Sequence, residues 1–358
     1  MSIALQVALV MVTILVVLLV IGAPIGVAIG MSSAVSMICM IPADVSFATS
    51  AQRIFAGSNS FSLIAIPFFI LAGNIMNNGG IATRLVNCAK VISGRMPGAL
   101  AQSNVVANML FGAISGSGAA AAAAMGGTIG PLEEKEGYDK NYSTAVNVAS
   151  APVGMLIPPS NTMIVYSSVA GSVSIAALFM AGYIPGLLWG GAVMILAGIM
   201  AKKRGYQAEQ RVPVKVALKT FWQAIPSLLL IVIVIGGILA GVFTATEGSA
   251  IAVVYATVLS LIYKSFKLKD IPRIVLESAK TTGIITFMIG LSSIMSWAMA
   301  FTEIPDMIAT AILGLTDNKI LILLLINVLL LVVGTFMDVT PAILIFTPIL
   351  LPICTAFG

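Results

Sequence analysis

Three short clusters of oxygen-bearing residues interrupt otherwise apolar sequence: Ser115-Gly116-Ser117-Gly118, Pro158-Pro159-Ser160-Asn161-Thr162 and Met337-Asp338-Val339-Thr340-Pro341. Each can break a helix and leave oxygens at the break. Pro158 and Pro159 have no amide hydrogen to donate, so they free carbonyls of the preceding turn. In a low-dielectric setting such carbonyls are tolerated only when buried in protein or bound, and an unwound stretch facing a second broken element suits a dehydrated monovalent cation. A proline kink satisfied by neighbouring helices is the plainer alternative. Asp338 is the one acidic residue deep in these apolar stretches, where a carboxylate is costly unless paired or bound. It reads as functional, against the alternative of a helix cap in a water-filled vestibule ahead of Thr340-Pro341. Glu247 follows Thr246 at the start of an apolar run, and a helix-dipole role and a functional role stay equally open for it.

The elements that must hold these clusters are membrane helices. The 358 residues are 59% hydrophobic and 9% charged, and the mean hydropathy is strongly positive, outside the range of soluble globular chains. Stretches 7–20, 187–201, 225–240, 251–263 and 320–333 are apolar on every face, as lipid-embedded helices must be. Residues 1–22 lack a basic n-region and a small-residue cleavage site, so they read as a first span retained in the mature protein. The sequence contains no histidine, which removes the usual proton relay, metal ligand and Ser-His or Cys-His pair. Cys39, Cys88 and Cys354 lack metal spacing and read as small buried hydrophobes. An intramembrane hydrolase needs a second aspartate, a Ser-Lys pair or a metal cluster, and a channel needs a charged ring or repeated filter motif; neither pattern is present.

Spans are predicted at about 3–21, 23–41, 61–77, 142–168, 172–200, 220–242, 249–263 and 276–298. The remaining apolar stretches, 98–132 and 320–352, are each long enough for two short helices and are interrupted in the middle. Both read as re-entrant hairpins. With the N-terminus outside, only Arg53 and Lys319 of the eighteen basic residues fall outside, so the net charge of +5 reports membrane topology rather than a nucleic-acid footprint. The first hairpin then opens inward and the second outward. Ala43–Ser58 is amphipathic and too polar to span, which suits an interfacial arm, and Trp222 and Trp297 sit near predicted interfaces.

An internal repeat underlies this arrangement. Gly22 and Gly241 each precede a short span, Ile75-Met76 recur as Ile294-Met295 219 positions on, and Gly112, Pro131 and Gly137 correspond to Gly334, Pro352 and Gly358 at 221 to 222. The odd number of spans between the two starts makes the repeats opposite in topology. The expected organisation is an N-terminal scaffold over 1–60, a first transport unit over 61–200, a basic cytoplasmic loop over 201–219, second-repeat scaffold spans over 220–275 and a second transport unit over 276–358. About 60 residues equivalent to 138–200 have no counterpart after Gly358, so the chain reads as C-terminally truncated.

The motifs Ile66-Pro67-Phe68-Phe69-Ile70-Leu71-Ala72-Gly73, Ser115-Gly116-Ser117, Ile157-Pro158-Pro159-Ser160, Phe243-Thr244-Ala245-Thr246-Glu247 and Gly334-Thr335-Phe336-Met337-Asp338-Val339-Thr340-Pro341 stand in family order. Through them the whole chain resembles the large membrane subunit of the tripartite ATP-independent periplasmic (TRAP) transporters. The resemblance implies an all-α polytopic membrane protein of elevator type, with two inverted-topology repeats that each carry a re-entrant hairpin and a broken helix. It implies a sodium-coupled importer of carboxylate-bearing solutes, such as dicarboxylates, sugar acids or sialic acid, in a bacterial inner membrane with a periplasmic N-terminus. The implied partners are a small four-helix membrane subunit and a periplasmic substrate-binding protein. No cofactor is expected, and sodium is the coupling ion.

The family pattern sets one sodium ion between Ser115 and Ser117 at the hairpin tip and carbonyls at Gly154, Ile157 and Pro159. By symmetry Asp338 and Thr340 help to hold a second. No Arg or Lys lies inside a predicted span, so Ser117, Ser160, Asn161, Thr162 and Asp338, half-helix N-termini and bound sodium are the expected substrate-binding elements. Two departures from the family pattern stand out: its second Pro-Pro motif, expected after Gly358, is absent, and the run 119–124 is all alanine, plainer than the more polar hairpin helix the resemblance implies. Pro159-Ser160-Asn161-Thr162 also resembles the Ser-Asn-Thr hairpin of stand-alone sodium-dicarboxylate symporters, the alternative reading.

Overall fold

The computed structural model describes residues 3–171, 173–206, 213–265, 268–313, 318–335 and 337–356. Among them the chain forms eighteen α-helices and no strand. In chain order these are α1 (Ile3–Val20), α2 (Ile25–Met37), α3 (Ala43–Ser58), α4 (Ala65–Asn78), α5 (Ile81–Ser93), α6 (Ala99–Ser115), α7 (Gly118–Thr128), α8 (Gly130–Lys135) and α9 (Lys140–Ser150). There follow α10 (Val153–Leu156), α11 (Asn161–Ala170), α12 (Ile175–Lys203), α13 (Val214–Leu239), α14 (Ala245–Ile262), α15 (Ile271–Phe301), α16 (Ile304–Leu313), α17 (Lys319–Gly334) and α18 (Val339–Ala356).

Six helical stretches are long and apolar enough to cross a membrane, and a seventh is added if the segment through α9 and α10 is joined to α11 across its 51° bend. The all-α polytopic expectation therefore holds. A helix rises about 1.5 Å per residue and the hydrocarbon core is about 30 Å thick. The 29 residues of α12 exceed that thickness, while the 13 of α2 fall short of it.

The expected basic loop at 201–219 is narrower as a loop: α12 continues to Lys203, and α13 starts at Val214 and already contains Lys215 and Lys219. Lysine is a good helix former with a long apolar stem, so the arrival of charge marks the edge of the hydrocarbon without ending the helix. For the same reason α15 begins at Ile271 rather than near 276. Between the predicted third span and first hairpin, where no helix was expected, α5 forms with Ile81, Leu85, Val86 and Ala89 on a buried face and the charged Arg84 and Lys90 off it.

The two break clusters fall where expected. α6 ends at Ser115 and α7 begins at Gly118, with the extended Ser117 Oγ accepting the Ala120 N–H at 3.2 Å. α17 ends at Gly334 and α18 begins at Val339, and Phe336 lies outside the described residues. Glu247 resolves to a capping role: its carboxylate accepts the Thr244 N–H at 2.7 Å, while its own N–H donates to the Thr244 hydroxyl at 3.3 Å. Gly22 and Gly241, the matched glycines of the repeat, both take left-handed conformations after a helix, at φ of 88° and 70°.

The helices form two compact units. One comprises 1–63, 165–173 and 282–358. Its core joins Val7 and Met11 of α1 and Ile29 and Met37 of α2 to Leu291, Ile294 and Met295 of α15 and to Ile345 of α18. Gly26 and Gly30 let α2 lie close on Met288 and Leu291. The amphipathic α3 belongs to this unit, and its Arg53 guanidinium stands 5.2 Å over the Trp297 ring. The other unit comprises 64–164 and 174–281. Its core joins Val86 of α5, Leu100, Val105 and Phe111 of α6, Met125 of α7, Val146 of α9 and Ala197 and Ala201 of α12. There α4 packs along α14, and α13 along α5.

Thr244→Ala removes the hydroxyl half of the α14 capping box, the acceptor of the Glu247 N–H, and leaves the backbone N–H at 244 on the Glu247 carboxylate. It should lower stability by about 1 kcal/mol, read as a lower melting temperature of the detergent-solubilised protein.

Candidate functional site

Consecutive prolines determine the local chemistry at the end of α10. Their missing amides would have served the carbonyls four residues back, those of Gly154 and Met155. Met155 is repaired: the Ser160 hydroxyl, fully buried, donates to its carbonyl. Gly154 receives no such substitute from Ser160. The backbone turns extended at Ile157 (φ −91°, ψ 124°), the Pro158-Pro159 bond is cis, and the helix resumes only at Asn161.

The hairpin tip seats directly on this break, and glycines make the approach possible. A methyl group on Gly112 of α6 would come within 2.8 Å of the Gly154 Cα, so the two backbones touch. Gly116 has φ of 62° as the C-cap of α6, and a methyl there would meet Asn161 Nδ2 at 2.6 Å. A methyl on Gly118 would meet the Met155 sulfur at 2.9 Å. The Asn161 carboxamide is thus held against the tip; it is 8% exposed, and its Oδ1 has no hydrogen-bond partner. Among the described residues this gathers hard oxygens and no basic side chain, since α6, α7, α10 and α11 carry no Lys or Arg.

Two further layers hold tip and break together, and neither was anticipated in the sequence. Gly182, Gly186 and Gly190 form a small-residue face on α12. A methyl on Gly182 would strike the Leu156 carbonyl, one on Gly186 would meet Ile157 Cγ1 at 2.8 Å, and one on Gly190 would meet the Met109 sulfur at 2.7 Å. The four-residue glycine spacing inside an apolar run was the available signal. The second layer is a buried amide network. Asn147 of α9 donates to the Ala122 carbonyl of α7 at 2.8 Å and accepts from Asn108 of α6 at 3.0 Å, and Asn108 also donates to Ser150 at 2.8 Å. One side chain thereby ties both arms of the hairpin to the helix that leads into the break. Two longer staples complete the frame, Gln102 donating to the Met194 carbonyl at 2.8 Å and Trp189 to the Ala149 carbonyl at 3.1 Å.

The expected site residues therefore divide between the units. Ser117, Gly154, Ile157, Pro159, Ser160, Asn161 and Thr162 lie in one; the Ser115 backbone closes α6 there, and its side chain lies outside the described residues. Asp338 and Thr340 lie in the other unit at the α17–α18 break. Asp338 is exposed, its carbonyl accepts the Ala342 N–H at 3.2 Å, and it occupies the position just before α18; Thr340 is half-buried. That is the position of a helix cap.

Residues 12–358 match the family described as the tripartite ATP-independent periplasmic transporter, DctM component. The chain belongs to this family. It is 52% identical over 327 residues to the uncharacterized protein YgiK of Salmonella typhimurium, covering 91% of this chain and 75% of that one. It is 42% identical to the isethionate TRAP transporter permease protein DctMQ of Oleidesulfovibrio alaskensis, over 86% of this chain and 49% of the relative. It is 38% identical to the sialic acid TRAP transporter large permease protein SiaM of Vibrio cholerae, over 86% and 72%. The protein is thus a multi-pass transporter permease subunit and not an enzyme.

In this TRAP subunit the Asn147 network is the most exacting part of the frame, because its bonds join three helices through buried side chains. Asn147→Ala removes the two interhelical hydrogen bonds of its side chain, to the Ala122 carbonyl and from Asn108, each a net contribution of about 0.5–1.5 kcal/mol. The expected result is a clear drop in melting temperature in detergent, with Asn147→Gln recovering less than full stability.

Proposed function

We propose that this protein is the large membrane subunit of a sodium-coupled, binding-protein-dependent importer of small organic anions. It works by an elevator motion in a bacterial inner membrane, with its N-terminus periplasmic. The observation that carries the reading is the seat of the first hairpin tip on the proline-broken helix. There the Gly154 carbonyl has lost its helical donor and the buried Asn161 Oδ1 has no partner. Hard oxygens gathered in a buried pocket with no basic side chain favour a monovalent cation over an anion. Sodium held by the carbonyls of Gly154, Ile157 and Pro159 and the tip residues Ser115 and Ser117 would then place a positive charge where a substrate anion needs one. Asn161, assigned to substrate on sequence grounds, fits the ion better through Oδ1, while its Nδ2, Ser117 and Thr162 are left for substrate. Asp338 and Thr340 are assigned a second sodium ion in their own unit.

The substrates named for the relatives are sialic acid, a carboxylate, and isethionate, a sulfonate. Small oxyanions are accordingly the substrate class, with carboxylates such as dicarboxylates and sugar acids foremost. The partners are a small four-helix membrane subunit and a periplasmic binding protein, in keeping with the tripartite family. The inverted repeats supply the two hairpins, the first opening inward and the second outward.

Reconstitution of the paired membrane subunits in proteoliposomes, with a binding protein and an imposed sodium gradient, tests this. Uptake should require both. Uptake without the binding protein would favour a stand-alone symporter, and uptake indifferent to sodium would overturn the coupling. Asn161→Ala should raise the sodium concentration for half-maximal uptake about tenfold, equivalent to about 1.4 kcal/mol of ion binding, with a smaller change in maximal rate.

A further inference from the structure

After the first hairpin and ahead of the broken helix, the short helix α8 carries the sequence Gly130-Pro131-Leu132-Glu133-Glu134-Lys135, with Glu136 as its C-cap. Glu134, Lys135 and Glu136 are exposed, as a charged run normally is. Glu133 is not. Its side chain is 1% exposed, and neither carboxylate oxygen has a hydrogen-bond partner. The backbone cannot swing it out at low cost, because the Glu133 N–H donates to the Ile129 carbonyl at 3.0 Å and its own carbonyl accepts the Tyr138 N–H at 2.9 Å.

The walls of this pocket offer no counter-charge. α6, α7 and α9 pack against α8, and neither α6 nor α7 contains a titratable residue. From α9 and the turn before it come Tyr142 and Ser143, with Lys140 exposed and Asp139 half-buried. The Tyr142 hydroxyl donates to the Ala197 carbonyl at 2.8 Å. Tyr206, from the end of α12, stacks on Tyr138 at 4.3 Å and accepts the Asp139 N–H at 2.8 Å. Arg204, at the end of α12, is held by Asp139 at 3.0 Å. The Ser143 hydroxyl is buried beside Glu133 without forming a hydrogen bond of normal geometry.

A carboxylate buried without a cation or a donor is strongly disfavoured, and the group relieves that cost by binding a proton. We propose that Glu133 is a proton-binding site at the base of the first hairpin, and that its proton secures α8 against α6, α7 and α9. The site is separate from the sodium reading above and does not depend on it. Burial pushes the carboxyl up to about 7 from its ordinary 4.5, the Ser143 hydroxyl opposing this weakly. Because the folded protein holds the proton more tightly than the unfolded chain, this group's contribution to stability is complete below about pH 4.5 and is lost as pH rises through about 7.

The test is pH-difference infrared spectroscopy of the purified protein in detergent, following the stretch of the protonated carboxyl. Wild type should show a carboxyl titrating near pH 7 that Glu133→Gln lacks, and Ser143→Ala should move its midpoint upward. Between pH 5 and 8 the wild-type melting temperature should fall relative to Glu133→Gln, whose neutral amide holds no titratable proton. Should Glu133→Gln fold poorly, Glu133→Met, also neutral and better suited to an apolar pocket, must likewise remove the signal. A Glu133-dependent midpoint at 4 to 5, or a signal near 7 that survives both substitutions, would overturn the proposal. None of these measurements uses sodium or substrate, so a failed transport model would leave them intact.

Discussion

Pro158 and Pro159 impose the constraint on which the best-defined part of this structure depends. By withholding two amide hydrogens inside an apolar segment, they leave the carbonyls of Gly154 and Met155 without helical partners, a debt that lipid cannot settle. The chain responds on several levels. Ser160 covers the Met155 carbonyl, the backbone extends at Ile157, and the whole break is buried under the tip of another broken element. Every close approach there runs through glycine, at 112, 116 and 118 on the hairpin, at 154 on the break and at 182, 186 and 190 on α12. Lipid supplies no hydrophobic drive between helices, so intimate backbone contact and interhelical hydrogen bonds must do that work.

The buried amide network follows from the same need. Asn147 connects α7, α6 and its own helix through the Ala122 carbonyl and Asn108, and so holds both arms of the hairpin in register with the segment that leads into the break. An ion site assembled from backbone carbonyls gains selectivity from where they are held, since the oxygens themselves are unremarkable. For the proposed ion site, the frame around Gly154 and Asn161 thus matters as much as the oxygens it holds. At the base of the same hairpin, Glu133 is buried, Tyr138 stacks on Tyr206, and Arg204 is engaged by Asp139. The Tyr142 N–H and, less strongly, Arg204 hold the half-buried Asp139 carboxyl below its ordinary value.

Two acidic residues show how little local composition says about a single side chain. Asp338 stands amid apolar residues yet is exposed just before α18, the helix-cap position that was one of its two sequence readings. Glu133 stands in a run of charges yet is buried. Local composition reports the average environment of a segment. Which face of a single turn meets α6, α7 and α9 is decided by packing between residues distant in the chain.

Much was nevertheless fixed by local chemistry. Long apolar runs make membrane helices, the Pro158-Pro159 pair withholds two consecutive donors, and the Ser115–Gly118 cluster favours a turn, so the long spans, the breaks and the amphipathic α3 were legible from the residues alone. Motif order was enough to indicate the TRAP family. Other features waited for the tertiary structure. These were the amphipathic α5, the glycine face of α12, the Asn147 network, the capping role of Glu247 and the inward turn of Glu133. The physical reason is one of range. Hydrophobicity and missing donors act within a few residues of their source, whereas the partner of a buried polar group and the neighbour of a glycine are chosen only when distant helices meet.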